Sequence, residues 1–353
     1  MLTSFSRLGV YQLRTKRLAL SVLLGMLGSA SAVAQYSSNA VGYLNVTCPQ
    51  GFTLIACPLL VSANNDPIYS IDNTRGEYNG CQIFFWQNGT WAKYVANTNP
   101  TPPATATNGW VEPNGPMSLP PGAGAVFYNP NHADVGMTFV GTVPQGSLTN
   151  TLNPGLNLVS SIVPGSGDLS ASSLMTFPSL AGGQFDGDQV LLYFNSGNGS
   201  GGYTMFTVDS LNYNPPGNYG WDGLPGQPDP VIANATQAFW YRAGNGVVQW
   251  TENFTANPGD VVPSDSVKST TSTAVSSATS SLDAAGSPFI SKSRRFQFSL
   301  TGRAGKSHVV EASSDLKSWQ PVGTNLWSSG KFIYTDPVPA TNKMRFYRAF
   351  ALP

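Results

Sequence analysis

The sequence predicts an all-β fold: two homologous antiparallel β-domains of sandwich or barrel-like form, followed by a small C-terminal β-sandwich module. Three observations predict it. The first is an internal duplication. Pro49-Gln50-Gly51-Phe52-Thr53-Leu54-Ile55 returns as Asn153-Pro154-Gly155-Leu156-Asn157-Leu158-Val159, residues 80–86 return as 187–193, Gly109-Trp110 as Gly220-Trp221, and 125–128 as 237–240. The order is kept while the offset drifts upward, as a duplicated unit with small loop insertions would show. The second is composition: charged residues make up 10% of the chain against 37 Gly and 27 Pro, which suits short strands and tight turns rather than long surface helices. The third is a period-two alternation of apolar residues within short windows.

The chain opens on residues 1–34, where Arg14, Lys16 and Arg17 precede the apolar run 18–27 and the small-residue site Ala32-Val33-Ala34. This is the layout of a secretory signal cleaved after Ala34. The apolar run is too short to span a bilayer, and no later stretch reaches the roughly 20 apolar residues a spanning helix needs. The mature chain is therefore expected to start at Gln35 and to be secreted, extracellular or on a bacterial cell surface, without an integral span. Repeat one is expected at 35–147 and repeat two at 148–262. Their strands are expected at 53–56, 82–86, 124–128 and 137–140, matched by 157–162, 189–194, 237–241 and 247–250. Asn88-Gly89 is the dipeptide preferred by type I′ turns, whose central residues both need positive φ, and it closes a hairpin onto 91–94. Repeat two carries the longer loop 195–202 at that place.

Residues 263–290 change character. Twelve of the 18 residues from 264 to 281 are Ser or Thr, the composition of a disordered linker. Alternation resumes in 291–353, with strands expected at 295–300, 307–312, 331–334 and 344–349. The net charge of zero hides an asymmetry. Residues 35–262 carry three basic side chains against 13 acidic ones, a balance of −10, and residues 263–353 carry 11 against five, a balance of +6. A basic tail suits anionic polymers or a solvated face. No nucleic-acid-binding motif is present, so no nucleic-acid partner is expected.

Little in the sequence converges on catalysis. The two histidines, His132 and His308, fall in different units, and neither a Gly-x-Ser-x-Gly elbow nor a His-Glu-x-x-His helix occurs. Asp186 and Asp188 are the closest pair of carboxylates and a weak candidate for Ca²⁺ or for acid–base work. Cys81 takes the place of Asp188 in repeat one, which favours a simple Asp-Gly turn. Cys48, Cys57 and Cys81 are too widely spaced, with no nearby histidine, for zinc. After export a disulfide is permitted, with Cys57–Cys81 the preferred pair, although repeat two has Ser161 and Asp188 there. No cofactor is expected. Aromatic residues are the richest signal. Trp91, Trp110, Trp221 and Tyr203 lie in or next to expected loops, and pyranose faces stack on such rings while amides read hydroxyls.

Two resemblances cover most of the mature chain. Gly51-Phe52-Thr53-Leu54-Ile55 with Leu119-Pro120-Pro121-Gly122-Ala123-Gly124-Ala125-Val126-Phe127-Tyr128, and Gly155-Leu156-Asn157-Leu158-Val159 with 235–240, resemble a repeat of exported and surface-layer-like bacterial proteins. Repeat two lacks the Pro-Gly-x-Gly element. The tail, through 310–319, Tyr334-Thr335-Asp336 and Arg345-Phe346-Tyr347-Arg348, is similar to a C-terminal module of secreted proteins from Verrucomicrobia and related bacteria. The resemblance implies an all-β secreted architecture and transfers no catalytic residue. The expectation is an exported, non-enzymatic cell-surface or extracellular-matrix structural protein. A carbohydrate-binding protein is the alternative, and polysaccharide or cell-envelope components are the expected partners.

Overall fold

Alternation in Gln82–Gln87 and Thr90–Ala96 turns Ile83, Phe85, Ala92 and Tyr94 inward and leaves Phe84, Trp86 and Trp91 on the opposite face. These strands belong to an antiparallel sheet ordered Gly51–Ala56, Gly124–Asn129, Gln82–Gln87, Thr90–Ala96, Trp110–Val111, Ala106–Thr107. The molecule is described from a computed structural model that places residues 35–36, 39–61, 71–87, 89–100, 106–111, 116–169, 177–178, 184–209, 220–222, 229–256, 281–283, 289–290, 294–301, 304–326 and 331–352. The expected signal at 1–34 and most of the expected linker lie outside the described residues. Among those residues every regular element is a strand, so the fold is all-β.

A second sheet has the corresponding order: Gly155–Val159, Phe239–Ala243, Gln189–Asn195, Gly201–Asp209, Gly220–Asp222. Each sheet is backed by an antiparallel pair, Val41–Cys48 with Val135–Thr142 and Gly146–Leu152 with Val248–Phe254. One core gathers Ile83, Phe85, Tyr94, Trp110, Phe127 and Phe139, the other Val190, Phe206, Trp221, Phe239, Tyr241 and Trp250. The pairing corrects one expected correspondence. Gly51 opposes Asn129 and Gly155 opposes Ala243, so Ala125 corresponds to Phe239 and not to Gln237. A two-residue slip keeps the same face inward, and the apolar pattern alone does not detect it.

Val41–Cys48 was not among the expected strands: its first half, Val41–Leu44, is buried throughout and lacks alternation, and only Leu44–Cys48 alternates, with Asn45 and Thr47 on the more open face. Leu44, Val46 and Cys48 point into the first core. Val41 and Tyr43 point into a third, with Phe296, Phe298, Tyr334 and Tyr347. On one side the strand pairs with Val135–Thr142. On the other it pairs with Met344–Ala351 of the tail, from Val41 opposite Tyr347 to Leu44 opposite Met344. Ser307–Ser313 and Gln320–Leu326 continue this sheet outward, and Gln35–Tyr36 pairs with the far end of the same tail strand. One sheet thus serves two cores, one on each face.

The layer over the third core contains Arg295–Thr301 and Lys331–Pro339, joined by Ser281–Asp283 and Phe289–Ile290. The last two strands lie inside the segment whose composition predicts disorder, so the structured tail starts earlier than its alternation suggests. The tail motif has a physical role here. Asp315 accepts hydrogen bonds from Ser313 Oγ and from the amides of Lys317 and Ser318, closing a turn in which Leu316 takes φ +59°. Burial alone would raise the Asp315 carboxyl, but these bonds overcome it and hold the group at about 2. Trp319 covers the Arg348 guanidinium at 4.4 Å, and Arg348 pairs with Glu311 at 2.8 Å.

The close approach of head and tail strands depends on Gly42, which opposes Phe346. A Cβ there would stand 2.5 Å from the Arg345 carbonyl and from the Phe346 ring. Phe346→Ala is expected to cost about 3–5 kcal/mol and Gly42→Ala about 1–3 kcal/mol. Urea unfolding of the full chain checks both, and equal stability of Phe346→Ala and wild type would contradict the shared-sheet packing.

Candidate functional site: paired clefts between the sandwiches

The outer faces of the two large sheets meet. Leu54, Ala56, Trp86 and Val126 of the first lie against Leu158, Leu191, Tyr193 and Trp240 of the second. The contacts obey an approximate two-fold exchange. The Ala56 amide donates to the Thr236 carbonyl at 2.8 Å, and the Ser160 amide donates to the Gly122 carbonyl at 2.9 Å. By the strand registers Ala56 corresponds to Ser160 and Gly122 to Thr236. The isolated bridges Ile55–Gln237 and Ala123–Val159 exchange in the same way.

Two clefts flank this junction, and they too exchange. The first, about 370 Å³, is bounded by Pro49, Thr53 and Leu54 from the head and by Tyr193, Thr236 and Gln237 from the second sandwich. The second, about 420 Å³, is bounded by Asn153, Asn157 and Leu158 and by Trp86, Gly122 and Ala123, the corresponding positions with the copies swapped. Amides pin the walls. Asn195 Nδ2 donates to the Gln50 and Phe52 carbonyls at 2.9 and 2.8 Å, and Asn150 Nδ2 donates to the Gly122 carbonyl at 2.8 Å.

Each cleft carries an aromatic pair from a hairpin. Trp86 and Trp91 are directly opposed, with rings 5.1 Å apart and edge to face, and Tyr193 and Tyr203 repeat the pair at 5.1 Å. Trp91 is 43% exposed and is braced on its other side by Trp240 at 5.9 Å, while Tyr203 is 48% exposed. These two predicted aromatics therefore sit beside the clefts. The other two do not. Trp110 and Trp221, expected in or next to loops as ligand-binding candidates, are 0% and 2% exposed, so neither presents a ring face at the surface. Both stand on the inward face of short strands, and Trp110 Nε1 donates to the Ile71 carbonyl at 2.8 Å. Trp86 and Tyr193, which line the clefts, were not singled out, although their hairpin placement opposite Trp91 and Tyr203 is a usable signal.

Of the two predicted carboxylates, Asp186 is half-buried and Asp188 is consumed by the fold. Asp188 is buried and accepts from the Tyr241 hydroxyl and the Gly244 amide, each at 2.6 Å, so it is an anchor and not an open ligand. Among the described residues no group of three or more His, Cys, Asp or Glu converges as a metal site would require. Cys57 and Cys81 are free thiols, which corrects the expected disulfide. Cys57 follows the Gly51–Ala56 strand beside Gly124, whereas Cys81 lies near Asn129 at the other end of Gly124–Asn129. Five residue steps at about 3.4 Å put the two ends far beyond the ~7 Å Cα separation a disulfide spans. Burial raises the Cys48 and Cys57 thiols to about 12 and Cys81 to about 11, so all three stay protonated.

Compared with protein-family models and with curated proteins, the chain matches none. Among the described residues no helix is long and apolar enough to cross a membrane.

One buried acid was not foreseen. Glu252 takes the place that Phe139 has in the first sandwich, and Ser161 the place of Cys57. The Ser161 hydroxyl and the Ile162 amide both donate to the Glu252 carboxyl. Burial raises this carboxyl from 4.5 to about 7 against those bonds. Between these values the folded chain holds a proton that the unfolded chain has released, so stability falls as pH rises through the window. The loss from pH 4.5 to 7 is expected to be roughly 3 kcal/mol and to vanish in Glu252→Gln, measured by denaturant unfolding across pH. The tryptophans give a second check. Trp110→Ala is expected to cost about 3–5 kcal/mol, whereas Trp91→Ala on the exposed face stays within about 1 kcal/mol. Thermal denaturation distinguishes the two.

Proposed function

We propose that this chain is an exported, non-enzymatic protein of the cell surface or extracellular matrix, a fixed scaffold of two joined sandwiches. The supporting observation is where the ionisable groups go. Asp188 is held by Tyr241, Glu252 by Ser161, Asp336 by Tyr347 and Arg345, and Glu311 by Arg348. Among the described residues neither cleft between the sandwiches is lined by a carboxylate, histidine or cysteine, the groups that most often move protons or attack substrates. Fractionation of a culture expressing the full chain tests this reading. Association with cells or matrix is expected, and recovery entirely in the soluble medium would remove it.

A second reading, carbohydrate binding, is favoured by the exposed aromatic pairs beside both clefts. A ring held edge-on by a neighbour offers a flat apolar face at little entropic cost, and such faces stack on the C–H side of a pyranose. The double variant Trp91→Ala with Tyr203→Ala is expected to lose retention on polysaccharide by about tenfold while its melting temperature stays within a few degrees of wild type. A pull-down on insoluble and immobilised polysaccharides reads the first quantity. Unchanged retention would end this reading for these rings.

A further inference from the structure

Residues 35–262 carry the balance of −10, yet the tail delivers positive charge to the rim of the first cleft. Lys343, an exposed tail residue, lines that cleft, and its ammonium lies 3.2 Å from Asn234 Oδ1, a neutral partner. Lys343 also lines a smaller adjoining hollow of about 100 Å³ floored by Leu44 and Ala235. On the far side of the segment Asn45-Val46-Thr47 lies a third hollow, about 310 Å³, bordered by Arg294, also exposed and also from the tail. Asn45 lines all three hollows, and among the described residues no carboxylate lines any of them.

The dividing segment is rigid. Asn45 Nδ2 donates to the Ala340 and Asn342 carbonyls at 3.0 and 2.7 Å, and Asn45 Oδ1 accepts from the Thr138 hydroxyl. The tail loop that carries Lys343 is thereby tied to the strand the hollows share. The Asn45 amide also donates to the Lys343 carbonyl at 2.7 Å. Arg294 is tied to the same loop through the Ala340 amide, which donates to the Arg294 carbonyl at 2.6 Å. Two cations of the tail thus border hollows that share one fixed ridge.

The second cleft supplies the contrast. There Trp86 stands where the first has Tyr193, Pro120 stands where it has Asn234, and among the described residues no charged side chain lines the walls. Whatever the two clefts share by shape, only the first is marked by charge.

We propose that the three adjoining hollows form one groove that binds an acidic polysaccharide of the uronate class. Lys343 and Arg294 receive its carboxylates, and Tyr193 meets a pyranose face. The guanidinium fork suits a carboxylate bidentately, and the ammonium acts as a point charge. Separated cations along a groove select a polymer with charge at intervals over an isolated anion. This inference rests on the carbohydrate-binding reading and narrows it to one cleft and one chemistry.

Affinity electrophoresis of the mature chain in gels containing polygalacturonate, a neutral β-glucan, or no polymer tests it. Polygalacturonate is expected to retard the wild type, with the retardation fading as salt rises. Lys343→Met combined with Arg294→Met is expected to weaken that binding by about tenfold or more, and Lys93→Met, at an exposed basic residue outside the groove, to leave it unchanged. Both basic residues are exposed, so melting curves matching wild type are expected and separate lost binding from lost folding. Retardation that survives the double substitution overturns the groove, as does equal retardation by duplex DNA, which would mean that charge alone is read. Binding to the neutral glucan without binding to polygalacturonate overturns the groove and leaves the broader carbohydrate reading standing. Binding to neither polymer removes both.

Discussion

The hydrogen-bonded seam between Val41–Leu44 and Met344–Tyr347 is the constraint on which the remaining architecture depends. It places a single strand, Val41–Cys48, between two cores, with Leu44 and Val46 facing one way and Val41 and Tyr43 the other. A strand buried on both faces tolerates neither a register shift nor a polar insertion, because either would put a polar group into one of the cores. Fixing this strand fixes Val135–Thr142 beside it, hence the first sandwich. It also fixes the tail loop that brings Lys343 to the first cleft.

The two sandwiches follow one plan with different chemistry at matching points. In the first, Cys81 sits beside Asn129 and its sulfur makes only long contacts with amides. In the second, Asp188 stands at that place and binds Tyr241 and the Gly244 amide. Where the first buries Cys57 and Phe139, the second buries Ser161 and Glu252. The second core is thus braced by hydrogen-bonded polar anchors where the first relies on apolar contact, and such anchors are costly when left unpaired. Swapping the copies preserves shape, and what differs is polarity and titration.

Much of the fold was legible in the chain. Strands with one wet face, such as Gln82–Gln87 and Arg295–Thr301, announced themselves by alternation. The strands that escaped were those whose pattern depends on distant partners. Val41–Leu44 lacks alternation because the tail covers its second face, and Gln320–Leu326 carries Pro321 and Gly323, which read as a loop. The site was half legible. Trp91 and Tyr203 are surface aromatics beside the clefts, as their hairpin context suggested. Trp110 and Trp221 look identical in local sequence, and only the packing of their short strands against Ile71 and Phe177 decides that they are buried. The exchange of the clefts emerges only when strand register is known, since the apolar pattern matches equally well at a slip of two.

The seam between the ends of the chain bears on how the molecule is made. Residue 41 finds its neighbour at residue 347, so nearly the whole chain must be present before the first sandwich can finish its second sheet. Such high contact order slows folding, because the entropy of closing a long loop is lost before the contacts that offset it form. During synthesis the strand at 41–44 stays unpaired on that edge until residues 344–347 have emerged. A chain of this design folds late and as a unit.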